Sequence, residues 1–230
     1  SSAEIDAHFN MVPVDYFSLN TDGDILLHIK AINRFLHSVL DAEFQSSLNP
    51  TITWVDNLLT QQTEVTVVTW DRAGLFHKIV GSLSLSGFEI IKAKAVTRAD
   101  HILIDKFCLG NATDKNNFES LELYEDYIED SLVIGADLSK DIEFKRNVFD
   151  GYLAEDAMTP IILIEHEVKG SDALLTINAS DDFALLYDIS KTIYQSGFDV
   201  KNAKIETSES SDKLLTYNES IISFSEWQKH

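Results

Sequence analysis

An internal repeat constrains the fold of this chain more than any other sequence feature. Asp71 and Thr66 align without a gap with Asp181 and Thr176, 110 residues further along the chain. The same shift aligns further identities, namely Leu75 with Leu185, Ser86-Gly87-Phe88 with Ser196-Gly197-Phe198, Ala93-Lys94 with Ala203-Lys204, and Thr97 with Thr207. A repeat of this length indicates two homologous modules.

Hydrophobic periodicity predicts the order strand, helix, strand, strand in each copy. Alternating residues from Val65 to Trp70 predict a strand buried on both faces, and the spacing changes to that of a helix from Leu75. Gly87 ends this helix, and strands follow at 88–96 and 102–109. The second copy predicts a strand at 173–179, a helix at 183–196, and strands at 198–206 and 213–218.

The segments outside the repeat complete the first module better than the second. Thr51 to Val55 is a candidate strand that pairs back toward Glu64, and the apolar run Ile161–Ile164 is a candidate fourth strand of the first module. Apolar residues between 121 and 132 predict an additional helix, and 135–160 is interpreted as loop and short helix. We expect the second module to be shortened, because about a dozen residues follow its last strand.

The N-terminal part predicts a helix that follows an irregular stretch. Residues 1–20 are interpreted as irregular, and 22–44 as one amphipathic helix that packs through Ile25, Ile29, Ile32, Phe35, Leu36 and Leu40. Asp22 and Asp24 resemble the carboxylate pair of a nucleotidyltransferase metal site. No glycine-rich phosphate loop precedes them, so we interpret them as a helix cap.

Composition limits the classes of partner. The formal net charge is −20, so we expect phosphate backbones and anionic membrane surfaces to repel the chain, and we predict neither a nucleic-acid nor a membrane partner. No stretch approaches the ~20 apolar residues of a membrane span. Cys108 is the single cysteine, which we expect to be a buried hydrophobe in a reduced cytoplasm. The start lacks an initiator methionine, as we expect of a piece of a longer chain.

The turn Asp71-Arg72-Ala73-Gly74 is the sharpest candidate site. A glycine between a strand and a helix permits close approach to the backbone, and the free amides of a helix's first turn favour an anion such as a carboxylate. Asp71 either accepts a hydrogen bond from a ligand's α-ammonium group or caps the helix. Arg72 is the neighbouring cation that could attract a carboxylate, and a purely structural turn is the alternative.

Residues suited to catalysis or to metal binding are missing from the sequence pattern. The seven histidines form no His-x-x-x-His pair, so the sequence supports neither zinc nor a hydrolytic metal centre, and we predict no cofactor in this chain. No serine lies in a Gly-x-Ser-x-Gly elbow, and the lone cysteine lies in an apolar strand. We therefore predict that the chain carries no catalytic site.

The motif Asp71-Arg72-Ala73-Gly74-Leu75-Phe76 resembles the Asp-Arg-Pro-Gly-Leu-Phe signature of ACT domains. The chain is similar to the tandem ACT domains at the C-terminus of bacterial bifunctional PII uridylyltransferase/uridylyl-removing enzymes, strongly over 61–109 and moderately over 161–220. Two departures are Ala73 in place of proline and the sequence Asp181-Asp182-Phe183-Ala184 in the second copy.

This resemblance implies an α+β fold of two ferredoxin-like βαββαβ modules. The domains expected from it are an N-terminal helical segment over 1–60, a first module over 61–168 and a second, shortened module over 169–230. The implied function is regulatory sensing of an amino acid, most consistent with glutamine, for the catalytic domains of a parent nucleotidyltransferase in nitrogen control. A scaffold that binds no ligand and mediates dimerisation or docking is the alternative, and a homodimer stays open.

The resemblance also implies one ligand site, shared between the modules. Its residues would be the loop and helix start of the first copy and the second strand of the second copy, namely Asp71, Arg72, Ala73, Gly74, Leu75, Phe76, Asn202 and Ala203. The equivalent site is expected to be weaker, because it combines Asp182 and Ala184 with Lys92.

Overall fold

The computed structural model describes residues 2–41, 48–57, 60, 62–110, 117–150, 163–169, 172–180, 183–209 and 216–226. These residues form an α+β fold in which one antiparallel sheet carries helices on its faces. The helices are α1 (Ser2–Met11), α2 (Tyr16–Leu19), α3 (Asp22–Asp41), α4 (Leu75–Leu85), α5 (Asn117–Ile128), α6 (Ser139–Asp150) and α7 (Leu185–Gln195), with a π-helical segment (Glu129–Ile134) that continues α5.

The sheet contains eight described strands in the order β1-β2-β4-β3-β7-β8-β6-β5. The strands are β1 (Thr51–Asn57), β2 (Gln62–Trp70), β3 (Ile90–Thr97), β4 (Ile102–Leu109), β5 (Leu163–Lys169), β6 (Asp172–Ser180), β7 (Phe198–Glu209) and β8 (Thr216–Glu226). Every neighbouring pair is antiparallel. The strand, helix, strand, strand order predicted for both copies is therefore confirmed, but the last strand of the second copy, predicted at 213–218, extends to Glu226.

The two repeats meet at strands β3 and β7, where the pairing is symmetric. Lys94 lies opposite Lys204, which is its own equivalent in the second copy, and Ala95 lies opposite Ala203. A register centred on equivalent residues places a local pseudo-two-fold axis between the strands, perpendicular to the sheet. Helices α4 and α7 pack against each other across the same axis.

The main core fills the space between the sheet and the helices α4, α5, α6 and α7. Inward residues of the strands, such as Val67, Ala95 and Phe107, pack with Ile79 and Tyr187 of the helices in one cluster that spans both repeats. Both faces of β2 are buried, as predicted, because α3 covers the opposite face of β2 and β4.

The edge strands confirm one sequence prediction and correct another. Thr51 pairs with Val68 and Val55 with Glu64, so the predicted hairpin of β1 and β2 is confirmed. The run near Ile164 was expected to complete the first module, and this prediction is wrong, because β5 pairs with β6 of the second repeat. Each half of the sheet thus receives its outer strand from the segment that precedes it. The boundaries at 60/61 and 168/169 themselves stay predictions.

The N-terminal segment is more regular than predicted. Residues 1–20 were expected to be irregular, but they contain α1 and α2, which are held by buried side-chain contacts rather than by a marked apolar stripe. The predicted helix over 22–44 is confirmed as far as Asp41, and residues 42–47 lie outside the description. Ile32 and Phe35 are buried as predicted, whereas Leu36 and Leu40 are exposed.

A capping box starts α3, as the sequence interpretation of Asp24 required. The amide of Asp24 donates to Thr21 Oγ1 at 3.2 Å, and the amide of Thr21 donates to Asp24 Oδ2 at 2.9 Å. Asp24 also contacts Lys106 of β4 at 2.6 Å, and these contacts hold the pKa of its carboxyl at about 2 against the opposing effect of burial. This carboxylate has a structural role.

Candidate functional site

The turn between β2 and α4 has the backbone that the sequence predicts for a strand-to-helix junction. The amide of Asp71 donates to the carbonyl of His101 at 2.7 Å, and Leu75 donates to the carbonyl of Arg72 at 3.2 Å. Gly74 has φ 77° and ψ 13°, in the left-handed region. Ala184 occupies the equivalent position with φ 60° and ψ 23°, so the second copy keeps this conformation without a glycine.

Gly74 contacts the second repeat directly. Its amide donates to Asp199 Oδ1 of β7 at 3.1 Å. A Cβ atom at Gly74 would lie 2.9 Å from Tyr194 Cδ2 and 2.9 Å from His77 Cε1, and the rings of Tyr194 and His77 stack with centroids 5.1 Å apart. The approach to Gly74 that we expected to be open for a ligand carboxylate is therefore filled by groups of this chain.

The guanidinium group of Arg72 is directed to the end of the π-helical segment. It donates to the carbonyl of Leu132 at 3.1 Å, and Lys78 donates to the neighbouring carbonyl of Ser131 at 2.8 Å. Burial lowers the pKa of both cations, and the charge of Arg72 lowers that of Lys78 further. Cations near a helix C-terminus interact favourably with the partial negative charge there, so Arg72 has a structural partner.

Three carboxyl groups lie around the turn. Asp105 of β4 is fully buried, and neither of its oxygens has a hydrogen-bond partner among the described residues. Burial raises its pKa well above the usual range, and the negative charges of Asp71 and Asp199 raise it further. These effects favour the neutral form of Asp105, so the turn combines a buried carboxyl group with two further acidic side chains.

Asp105, Asp199 and Tyr194 were not identified from the sequence as neighbours of this turn. One signal was present, because Asp105 is an acid at an inward position of the apolar strand Ile102–Leu109. Asp199 and Tyr194 carried no local signal, since their position depends on the pairing of β3 with β7.

The other predicted site residues lie in the core at the start of α4, in the turn itself, or on strand β7. Leu75 and Phe76 are buried in the main core, where Phe76 stacks on Phe107 with centroids 6.1 Å apart, and Ala73 is half-buried in the turn. Ala203 is buried on β7 opposite Ala95. Asn202 lies opposite Val96 in the same strand pair, and its side chain is outside the description, as are Asp181 and Asp182.

A cleft of about 240 Å³ lies beside the turn, between α4 and α7. It shares His77 and Tyr194 with the cover of Gly74 and also contacts Lys78, Tyr187 and Lys191. The ammonium group of Lys191 donates to Tyr187 Oη at 3.0 Å and lies 3.6 Å from the carboxylate of Asp137. The cleft is therefore bordered by cations that already have protein partners.

The described part of the chain contains no group of three or more His, Cys, Asp or Glu side chains arranged to hold a metal ion. No described helix has both the length and the apolar character needed to cross a membrane.

Comparison with known proteins gives relatives that are bifunctional uridylyltransferase/uridylyl-removing enzymes. The chain is 26% identical over 152 residues to a bifunctional uridylyltransferase/uridylyl-removing enzyme from Azospirillum brasilense. It is 25% identical over 148 residues to that of Gluconobacter oxydans and 24% identical over 148 residues to that of Rhodospirillum rubrum. Each alignment covers 63% of this chain. The predicted resemblance to a region of these enzymes is confirmed.

The matched region is a small part of those enzymes, since it covers 16% of the length of each. No protein-family model matches the chain. A crystal structure of an unknown protein from Galdieria sulphuraria covers 71% of this chain at 12% identity and a TM-score of 0.24, a value too low to establish a common fold.

Proposed function

We propose that this chain is a regulatory region of a PII uridylyltransferase-like enzyme in nitrogen control, that it acts in the cytoplasm, and that it binds glutamine. In this proposal the two halves of the sheet are ferredoxin-like ACT modules. The matched regions of uridylyltransferase/uridylyl-removing enzymes support the enzyme context, and the α+β repeat supports the regulatory role.

One contact carries the proposal of a shared site. The amide of Gly74 donates to the carboxylate of Asp199, which lies 125 residues away in the sequence, so the turn of one repeat directly contacts the strand of the other. A ligand that binds both repeats stabilises one of their relative arrangements, and attached catalytic domains respond to that difference in stability.

A calorimetric titration with glutamine tests the proposal. We expect one site per chain, and a ligand at 100 times its Kd raises the free energy of unfolding by about 2.7 kcal/mol. Gly74→Leu should abolish binding, because its side chain meets Tyr194 and His77, whereas Ala184→Leu is the matched control and should leave binding nearly intact. Circular dichroism verifies that both variants are folded. Two sites per chain, or equal sensitivity to both substitutions, would contradict the model.

A scaffold without ligand binding is the second candidate. The observation that favours it is the closed approach to Gly74, where Tyr194 and Asp199 already occupy the space near its amide. A thermal-shift screen of all common amino acids distinguishes the two functions. A scaffold shows no shift with any of them and associates in light scattering, whereas a sensor shows a shift with at least one.

A further inference from the structure

Asp105 lies where a carboxyl group without a hydrogen-bond partner lowers the stability of the fold. It is fully buried, it points to the helix side of the sheet together with its strand neighbours Val67 and Ala95, and both of its oxygens lack a described partner. A buried polar group without a hydrogen bond costs about 1–3 kcal/mol. A group of this kind in a native fold therefore indicates an unseen partner that supplies hydrogen-bond donors.

Thr69 is an independent observation at the same place. It is fully buried, and its hydroxyl oxygen has no described partner. Thr69 is two residues along β2 from Val67, which pairs with Asp105, so Thr69 and Asp105 are diagonal neighbours on the helix side of the sheet. The turn that begins at Asp71 follows Thr69 directly.

The charges that act on Asp105 are negative. Asp71 and Asp199 are the charged groups that raise the pKa of Asp105, and the amide of Gly74 donates to Asp199. The cation of the turn, Arg72, donates through Nη1 to the carbonyl of Leu132 and is not among the charges that act on Asp105, and its buried Nε and Nη2 have no partner among the described residues. A ligand carboxylate would add a further negative group beside Asp71 and Asp199, whereas an ammonium group supplies three donors and a positive charge.

We propose that the buried carboxyl group of Asp105, together with Asp71 and Asp199, binds the protonated amino group of the ligand at the turn, and that the site selects amines over carboxylates. This inference rests on the proposed function for the location of the site and adds the chemical group that the site recognises. The hydroxyl of Thr69 accepts one ammonium hydrogen bond in this arrangement.

Binding is expected to release a proton. Burial and the two neighbouring carboxylates raise the pKa of Asp105 and so favour its neutral form in the free protein. An ammonium group placed against it favours the ionised form, so the carboxyl proton leaves to the buffer while the ligand keeps its own. Calorimetric enthalpies measured in buffers of different ionisation enthalpy count the released protons.

The first test compares glutamine with two matched analogues on the full chain. One lacks the α-amino group (glutaramate) and the other lacks the α-carboxylate (4-aminobutyramide). We expect loss of the amino group to weaken binding roughly 100-fold, because the charged hydrogen bonds to the acids are lost. Loss of the carboxylate should weaken binding less than about 10-fold, because those hydrogen bonds are kept. Equal binding of glutaramate and glutamine overturns the inference but leaves the proposed sensor intact.

If glutamine fails to bind and 4-aminobutyramide binds, the proposed glutamine sensor fails and the amine site stands. A stabilisation by potassium or sodium chloride equal to that by the amine would identify a monovalent-cation site and overturn the selection of amines. Failure of all three organic probes, with no effect of the salts, overturns both proposals.

The second test uses substitutions that preserve shape. Asp105→Asn should weaken amine binding at least about 10-fold and abolish proton release, and Thr69→Val should weaken binding without changing the proton count. Asp126→Asn makes the same substitution at an exposed position of α5 and is the control. Unchanged affinity and unchanged proton release in Asp105→Asn would overturn the role of Asp105.

Discussion

The residue pair Gly74 and Ala184 shows how one backbone conformation has different costs in the two repeats. Both have positive φ, which costs a residue with a Cβ atom roughly 1–2 kcal/mol. We predict that Ala184→Gly raises the free energy of unfolding by about 1 kcal/mol. This gain is smaller than the full cost of the positive φ, because glycine has greater freedom in the unfolded chain. The reverse substitution, Gly74→Ala, should lower it by more, because its Cβ also meets Tyr194. Urea denaturation checks both, and a destabilised Ala184→Gly would contradict the account.

Buried histidines predict the pH dependence of stability. His8 donates to Tyr16, Tyr16 donates to His28, and Arg98 donates to the other nitrogen of His8, so both rings are held neutral. Burial lowers the pKa of His8, His28 and also His77 to about 4. Between pH 6.5 and 4 the unfolded chain therefore binds more protons than the folded chain, and stability falls as the pH falls.

The expected loss between pH 7 and pH 5 is up to about 2 kcal/mol for each of these histidines. Urea denaturation at the two pH values measures it, and NMR titration of the imidazole signals assigns it to His8, His28 and His77. Signals that titrate near 6.5, together with constant stability, would show that the rings are not held neutral.

At the scale of elements, the packing of α4 against α7 depends on Gly81. A Cβ atom there would lie 2.7 Å from Tyr187 Cδ2 and 3.1 Å from Leu138 Cδ1. In an exposed helix Gly→Ala is stabilising by about 1 kcal/mol. We predict the opposite sign for Gly81→Ala, because Tyr187 also bonds to Lys191 and Ser139 and has little freedom to move. A higher melting temperature in Gly81→Ala would show that the two helices separate easily.

At the scale of the whole molecule, one core and one sheet join the repeats, so we predict a single unfolding transition. Ile205 lies in the second repeat, is fully buried and belongs to the same cluster as Val67 and Phe107. Ile205→Ala should lower the free energy of unfolding by about 2–5 kcal/mol. Fluorescence of Trp54 and Trp70, both in the half of the sheet that contains the first repeat, should follow that shift together with circular dichroism, in a Trp227→Phe background. A tryptophan transition that stays unchanged would indicate independent halves.

The sequence alone determined the repeat, the elements inside it and the residues at its turns. Periodicity is local, so β2, α4, β3 and β4 and their equivalents followed from the spacing of apolar residues, and a helix cap was predicted at Asp24. The same local logic predicted a turn that contains Gly74.

The tertiary structure decided which strands complete each half and which groups surround the turn. The partner of β5 and the contact of Gly74 with Asp199 depend on pairings between residues far apart in the chain, which no local pattern encodes. The acid at position 105 could be noticed in the sequence. Its complete burial beside Asp71 and Asp199 follows from the register that joins β2, β4, β3 and β7, because that register decides which side chains share one face of the sheet.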